Sequence, residues 1–254
     1  MGDLSGRDGV AFVAGGTGGI GMEVCRTLAR EGADVVFTYR SNADAAASLA
    51  REIEQIGRRV RPMQVDLAET AAVAEVVREA AGEGLHSLVY AAGPHVAQRY
   101  VSTIEPADMW EQCRNDVLAF YNLVHPALVP LREAQGAIVA VTTVATDRFV
   151  KRDVLSSAPK GAVEAIVQAL ASEEGRFGVR ANCVGPGILE HGMVRELRAQ
   201  GDIDESILEA TVATIALRRL GAATDIAEAV AFLVSDRSGY ITGQKIDVDG
   251  GYSI

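Results

Sequence analysis

Short β-branched runs alternate along this chain with longer, alanine-rich amphipathic stretches, and no other feature limits the fold as strongly. The runs predict strands over 10–14, 34–39, 60–65, 87–91, 137–142, 180–184 and 245–248. The stretches between them predict helices over 19–30, 43–56, 71–81, 106–131, 156–174 and 225–233. Gly32 follows the first helix as a C′ residue, and Ser41-Asn42 offers an N-cap to the second. Val35-Val36-Phe37 and Ile138-Val139-Ala140-Val141 are apolar without interruption, as in strands buried on both faces. The pattern specifies an α/β chain with a parallel sheet covered on both sides. No linker, repeat or shift of composition divides it, so residues 1–254 read as one domain.

The rhythm breaks between Pro186 and Leu220, where Gly187, Gly192 and Gly201 precede a helix-like stretch over 203–217. In a doubly wound sheet, ligands sit beyond the carboxyl ends of the strands. A long excursion after a late strand lies there, so a lid or substrate wall is expected at about 187–220.

With 24 basic and 34 acidic side chains among 254 residues, the net charge is −10. This balance argues against a nucleic-acid backbone as partner, which needs clustered Lys and Arg, but leaves room for an anionic small molecule. Cys25, Cys113 and Cys183 lie far apart, without CxxC pairs or neighbouring histidines. A disulfide framework and a metal site are therefore not expected. Residues 1–7 lack the apolar core of a signal peptide, and no uninterrupted run of 18 apolar residues occurs. A soluble, cytoplasmic protein without membrane contact is the expectation.

Between the first strand and first helix stands Gly15-Gly16-Thr17-Gly18-Gly19-Ile20-Gly21. Glycines at 15, 19 and 21 let the backbone turn sharply and approach a pyrophosphate, to which the helix end presents unpaired N–H groups. The spacing is GxxxGxG. With Asp66-Leu67, Ala91-Ala92-Gly93, Lys160 in a Ser-x-x-x-Lys context, Pro186-Gly187 and Val248-Asp249-Gly250-Gly251, it resembles the short-chain dehydrogenase/reductase family over essentially the whole chain. The likeness is greatest to the single-domain branch that includes 3-oxoacyl-thioester reductases. The resemblance implies a Rossmann-type, seven-stranded doubly wound sheet, a nicotinamide cofactor and a homotetramer, with a dimer as the alternative. It also implies cofactor contacts from Gly15, Thr17, Gly18, Gly19, Ile20, Gly21, Asp66, Leu67, Ala92, Gly93, Lys160, Pro186, Gly187 and Leu189. In such a tetramer, the 106–131 and 156–174 helices pair across an interface, so Trp110 reads as core or subunit contact.

An acid at the end of the second strand would bind a ribose 2′-hydroxyl and repel a 2′-phosphate. Here Thr38-Tyr39-Arg40-Ser41 stands instead. The Arg40 fork and Ser41 hydroxyl suit a phosphate, so NADP(H) is expected over NAD(H).

Carbonyl-reducing members of the family use an Asn–Ser–Tyr–Lys set. Carried over, only the lysine remains, as Lys160. The tyrosine position holds Ser156, the serine position Thr143, and the asparagine position Asp116, with Asn115 one residue away. An alkyl alcohol is a far weaker acid than a phenol, so Ser156 orients oxygen without being an efficient proton donor. Pro159 predicts that the helix begins close to Ser156.

Three readings follow. In the first, hydride transfer to a carbonyl persists while Thr143, Ser156 and Lys160 stabilise the oxyanion. The proton then comes from another group, for which His95, Tyr100, Asp153 and His191 are candidates, although each also reads as a surface or packing residue. In the second, a conjugated C=C bond is reduced. Dienoyl-thioester reductases also place serine at the tyrosine position but add a tyrosine where Ala145 stands. Enoyl-thioester reductases place a tyrosine where Asp153 stands. In the third, the fold serves a non-redox enzyme or a cofactor-binding sensor. Arg148, Lys151 and Arg152 form a basic cluster before Ser156, suited to an acidic substrate or to solvent. His86 and His125 read as structural.

Overall fold

In the computed structural model, which describes residues 2–94, 96–190 and 205–254, the predicted alternation folds into a seven-stranded parallel sheet. The strands are β1 Val10–Ala14, β2 Asp34–Tyr39, β3 Val60–Gln64, β4 Leu85–Tyr90, β5 Ala137–Val141, β6 Arg180–Pro186 and β7 Lys245–Val248. The helices are α1 Gly19–Arg30, α2 Ala43–Ile56, α3 Thr70–Ala81, α4 Pro106–Cys113, α5 Ala119–Glu133, α6 Val154–Glu174, α7 Glu205–Ala213 and α8 Ala223–Val234. Strand order is β3-β2-β1-β4-β5-β6-β7. The winding reverses between β1 and β4, which opens a crevice at their carboxyl ends.

Each face of the sheet buries its own apolar layer. Val24 and Leu28 of α1, Leu49 and Ile53 of α2, and Ile226 and Val230 of α8 cover one face. Val73 and Val77 of α3, Phe120 and Leu123 of α5, and Val163 and Val167 of α6 cover the other. All five β1 residues are buried, as a strand covered on both sides requires. The expected termini form: Gly32 follows α1 with φ +98°, and Asn42 Oδ1 accepts the Ala45 amide at 3.0 Å to cap α2.

Two expectations about helices are corrected. First, α6 begins at Val154, so Pro159 lies inside it rather than in its first turn. Both Ser156 N and Ser157 N donate to the Asp153 carbonyl at 2.9 Å, which starts the helix earlier than the proline alone suggests. Pro159 has no N–H to offer the Leu155 carbonyl, a local loss the long helix absorbs. Second, the helix expected over 106–131 is interrupted by a π turn, Arg114–Leu118, between α4 and α5. Trp110, on α4, is 74% exposed and so is not core.

The excursion after β6 departs and returns at one place. Leu189 pairs with Gly221 as a parallel bridge, Glu190 N donates to Gly221 O, and Gly221 N donates to Ile188 O, both at 2.9 Å. His191, Gly192, Gly201 and the rest of 191–204 within the expected 187–220 lid lie outside the described residues, as does His95.

Candidate active site

The turn after β1 is shaped by what it touches. Gly15 has φ +80°, and a Cβ there would stand 2.7 Å from the Ala92 backbone. A Cβ on Gly21 would lie 2.2 Å from the Gly15 carbonyl oxygen, so helix and turn meet closely only without a side chain. Nothing lies within 4 Å of a Cβ on Gly19, and Gly18, the N-cap, supplies no side-chain bond to the α1 amides. The first turn of α1 therefore faces the crevice with unpaired donors, a setting for an anion.

A groove of about 300 Å³ runs from this turn. It brings together Gly15, Thr17, Gly18, Arg40, Ser41, Asp66, Leu67, Ala92 and Gly93, all drawn from loops after β1, β2, β3 and β4. Gln64 Nε2 donates to the Arg40 carbonyl at 2.9 Å, holding that backbone, while the Arg40 guanidinium has no protein partner among the described residues. Asp66 Oδ1 accepts the Ala68 amide at 3.0 Å. Gly19, Ile20 and Gly21 continue from the groove into α1. Pro186, Gly187 and Leu189 are not part of its wall; Gly187 N donates to the Val248 carbonyl at 3.1 Å. The groove fits a dinucleotide: unpaired amides at one end of a helix for a diphosphate, and a free guanidinium beyond.

At its Gly93 end the groove meets Lys160, whose Nζ is 3.8 Å from a Cβ placed on Gly93. Lys160 and Asp116 are buried, and Nζ donates to Asp116 Oδ1 at 2.9 Å and to the Ala92 carbonyl at 3.4 Å. Tyr90 at the end of β4 completes the cluster: its hydroxyl donates to Asp116 Oδ1 at 2.9 Å, and its ring lies 5.0 Å from Nζ. Burial first, and then the Asp116 carboxylate, hold the Tyr90 phenol well above its usual range, so it stays protonated. The π turn carries Asp116 inward, while Asn115 pairs with Glu111 and lines the groove.

Thr143 follows β5, and its Oγ1 accepts the Ala145 amide at 3.1 Å, leaving its hydrogen to donate elsewhere. Ser156 is half-buried in the first turn of α6, one turn before Lys160, with no protein partner for its hydroxyl among the described residues. Of the candidate donors, Tyr100 is 58% exposed, with the Arg152 guanidinium over its ring. Asp153 is buried, accepts Gln98 Nε2 at 3.1 Å, and is pushed up to about 6 by desolvation. In the basic cluster, Arg148 donates to the Tyr252 carbonyl and covers its ring, and Arg152 donates to the Gln98 carbonyl at 3.0 Å; Lys151 stays exposed.

Sequence reasoning missed Tyr90 and Gln98. The available signal for Tyr90 was a phenol in an otherwise apolar strand end, three residues before Gly93; Gln98 gave none. Among the described residues there is no cluster able to hold a metal ion and no helix long and apolar enough to cross a membrane.

A family model described as enoyl-(acyl carrier protein) reductase matches residues 14–253. The chain belongs to the short-chain dehydrogenase/reductase family, whose members are oxidoreductases using NAD(P)(H). It is 31% identical over 245 residues to the uncharacterized oxidoreductase YmfI of Bacillus subtilis, covering 95% of this chain and 98% of that one. It is 26% identical to the 3-oxoacyl-[acyl-carrier-protein] reductase FabG of Aggregatibacter actinomycetemcomitans, over 94% of this chain and 97% of the relative. The crystal structure of a blue fluorescent protein from a metagenomic library, in complex with NADPH, superposes with a TM-score of 0.88 at 32% identity, covering 99% and 100% of the two chains.

Proposed function

We propose that this oxidoreductase uses NADPH to reduce the carbonyl of a small or acyl-type substrate. The observation that carries the reading is the groove itself: it begins at the unpaired amides of α1, passes the free Arg40 guanidinium, and ends against Lys160. The likeness to a 3-oxoacyl reductase and to an NADPH complex supports it. Gly15, Thr17, Gly18, Gly19, Ile20 and Gly21 would hold the diphosphate; Arg40 and Ser41 the 2′-phosphate; Asp66 and Leu67 the adenine end; Ala92, Gly93 and Lys160 the nicotinamide end. Pro186 at the end of β6, with Gly187 and Leu189 just after it, would approach the nicotinamide from outside this groove.

Reduced nicotinamide supplies a hydride at that end. The chain's part is to hold the substrate oxygen as it gains charge. Thr143 offers the hydrogen not used in its own turn, and Ser156 an unengaged hydroxyl. Preorganised donors of this kind each stabilise a developing oxyanion by about 3–4 kcal/mol. Lys160 adds a buried cation whose position Asp116 and the Ala92 carbonyl fix. The absence of a phenol at position 156 favours a second reading, reduction of an enoyl C=C bond, and the description of the matching family agrees with it. Protonation of carbon by water then suffices.

Titration with NADPH and NADH, on wild type and Arg40→Ala, tests the cofactor. Charge-assisted bonds worth about 1.5–3 kcal/mol predict that Arg40→Ala loses roughly 10- to 100-fold of NADPH affinity and little NADH affinity; unchanged discrimination refutes the assignment. NADPH oxidation across ketones and enoyl thioesters then separates the two chemistries. Exposed Trp110, Leu118, Tyr121 and Val129, along α4, the π turn and α5, fit the proposed homotetramer or dimer contact, and gel filtration as a monomer would refute it.

A further inference from the structure

Asp153 sits at the N-cap of α6 without doing what an N-cap aspartate ordinarily does. Its carboxylate makes no capping bond to the helix amides. Instead it is buried, 6% exposed, and accepts the Gln98 side-chain amide from the loop after β4. A buried carboxylate without a cation is costly unless it holds a proton. The cations nearby are engaged elsewhere. Arg152 lies over Tyr100 and donates to the Gln98 carbonyl, Arg99 is paired with Asp108 at 2.6 Å, and Lys160 is paired with Asp116. On α4, packed against α6, Glu111 accepts from Asn115. Lys151 is exposed. The residue that turns the chain into Asp153, Arg152, has φ +73°, a strained conformation for a side-chain-bearing residue, held by the Arg99 amide on its carbonyl.

The acid stands at the same end of α6 as the reaction centre. Asp153 immediately precedes α6, with Ser156 in the first turn and Lys160 one turn further along. The start of α6 and the loops after β4 and β5 share the carboxyl edge of the sheet, where Lys160 meets the groove.

Resting on the carbonyl-reductase reading, we propose that Asp153 is the catalytic acid that supplies the proton in place of the missing phenol. As the carbonyl carbon gains hydride from reduced nicotinamide, the C=O π pair moves to oxygen and takes the Asp153 proton. The products are an alcohol, oxidised nicotinamide and the Asp153 carboxylate, which regains a proton from water. Desolvation, which pushes this carboxyl up to about 6, suits it to donate near neutrality. Tyr90, by contrast, is spent on Asp116.

Two measurements test the proposal. In the cofactor-free protein, carbon-13 NMR or infrared titration of the side-chain carboxyls is expected to show one group near pH 6 that disappears in Asp153→Asn. Titration of Asp153 in the ordinary range near 4 overturns the proposal without any variant. In NADPH oxidation, wild-type kcat falls about tenfold per pH unit above this value. Asp153→Asn lowers kcat about 10²- to 10⁴-fold with KM little changed and abolishes that limb, while Asp153→Glu restores part of the rate. An Asp153→Asn enzyme that keeps the wild-type rate, or loses rate while keeping the limb, overturns the assignment and leaves the reductase reading standing. NADPH binding by the wild type without turnover of any carbonyl or enoyl compound overturns both.

Discussion

Around β1, α1 and β2, the chain meets its neighbours by leaving side chains out: Gly15 against Ala92, Gly21 against the Gly15 carbonyl. Around β4, the π turn and α6, it does so by matching charges: Lys160 to Asp116, Asp116 to Tyr90. The first region answers to shape, and its glycines follow the family spacing. The second answers to electrostatics, with the buried Lys160 held by Asp116 at its centre. The two walls of the cleft can therefore be perturbed separately, because one is stabilised by close backbone contact and the other by a buried ion pair.

The sharpest way to break this contrast is Asp116→Ala. Removing the carboxylate strands a buried cation and leaves the Tyr90 hydroxyl only the residue-116 carbonyl at 3.1 Å, and should cost about 3–5 kcal/mol in urea denaturation. Adding Lys160→Met should return much of that loss; additive losses would show that the pair is not the organising contact.

A somewhat smaller effect concerns Asp153. A carboxyl at about 6 when folded and near 3.9 when unfolded binds more protons in the native state between those values. Stability therefore falls as pH rises through roughly 4 to 6 and levels above. Relative to Asp153→Asn, wild type should lose up to about 3 kcal/mol across that window. A difference independent of pH would place Asp153 outside the desolvated region.

On the steric side, Gly21→Ala should cost about 1–3 kcal/mol by overpacking and weaken dinucleotide binding, seen together in melting and fluorescence titration. A variant melting like wild type would mean that α1 shifts freely and that shape is not the constraint.

The same contrast explains what the sequence could disclose. Strand and helix order and the caps at Gly32 and Asn42 rest on local spacing, and the loop residues that meet in the groove were legible through the family resemblance. The π turn was not, because its extra residue per turn leaves the apolar pattern of 106–131 nearly unchanged. Whether Asn115 or Asp116 faced the lysine depended on that turn. Tyr90 and Gln98 matter through contacts with residues 26 and 55 positions away, which no spacing rule reaches. Pro159 misled by a few residues because a proline marks a helix start only when the backbone before it offers no earlier one.

The bridge between Leu189 and Gly221 has a consequence for how such a protein diversifies. Because the stretch after β6 leaves and rejoins the sheet through one short stitch, its closure entropy changes only slowly with its length. Its returning end is tied down a second time, because Leu217 N donates to the Gly250 carbonyl at 3.0 Å and Ile215 packs with Tyr252, so changes of length are best tolerated ahead of residue 215. A graft of this segment should accordingly carry residues 215–221 with it, so that both ties are kept.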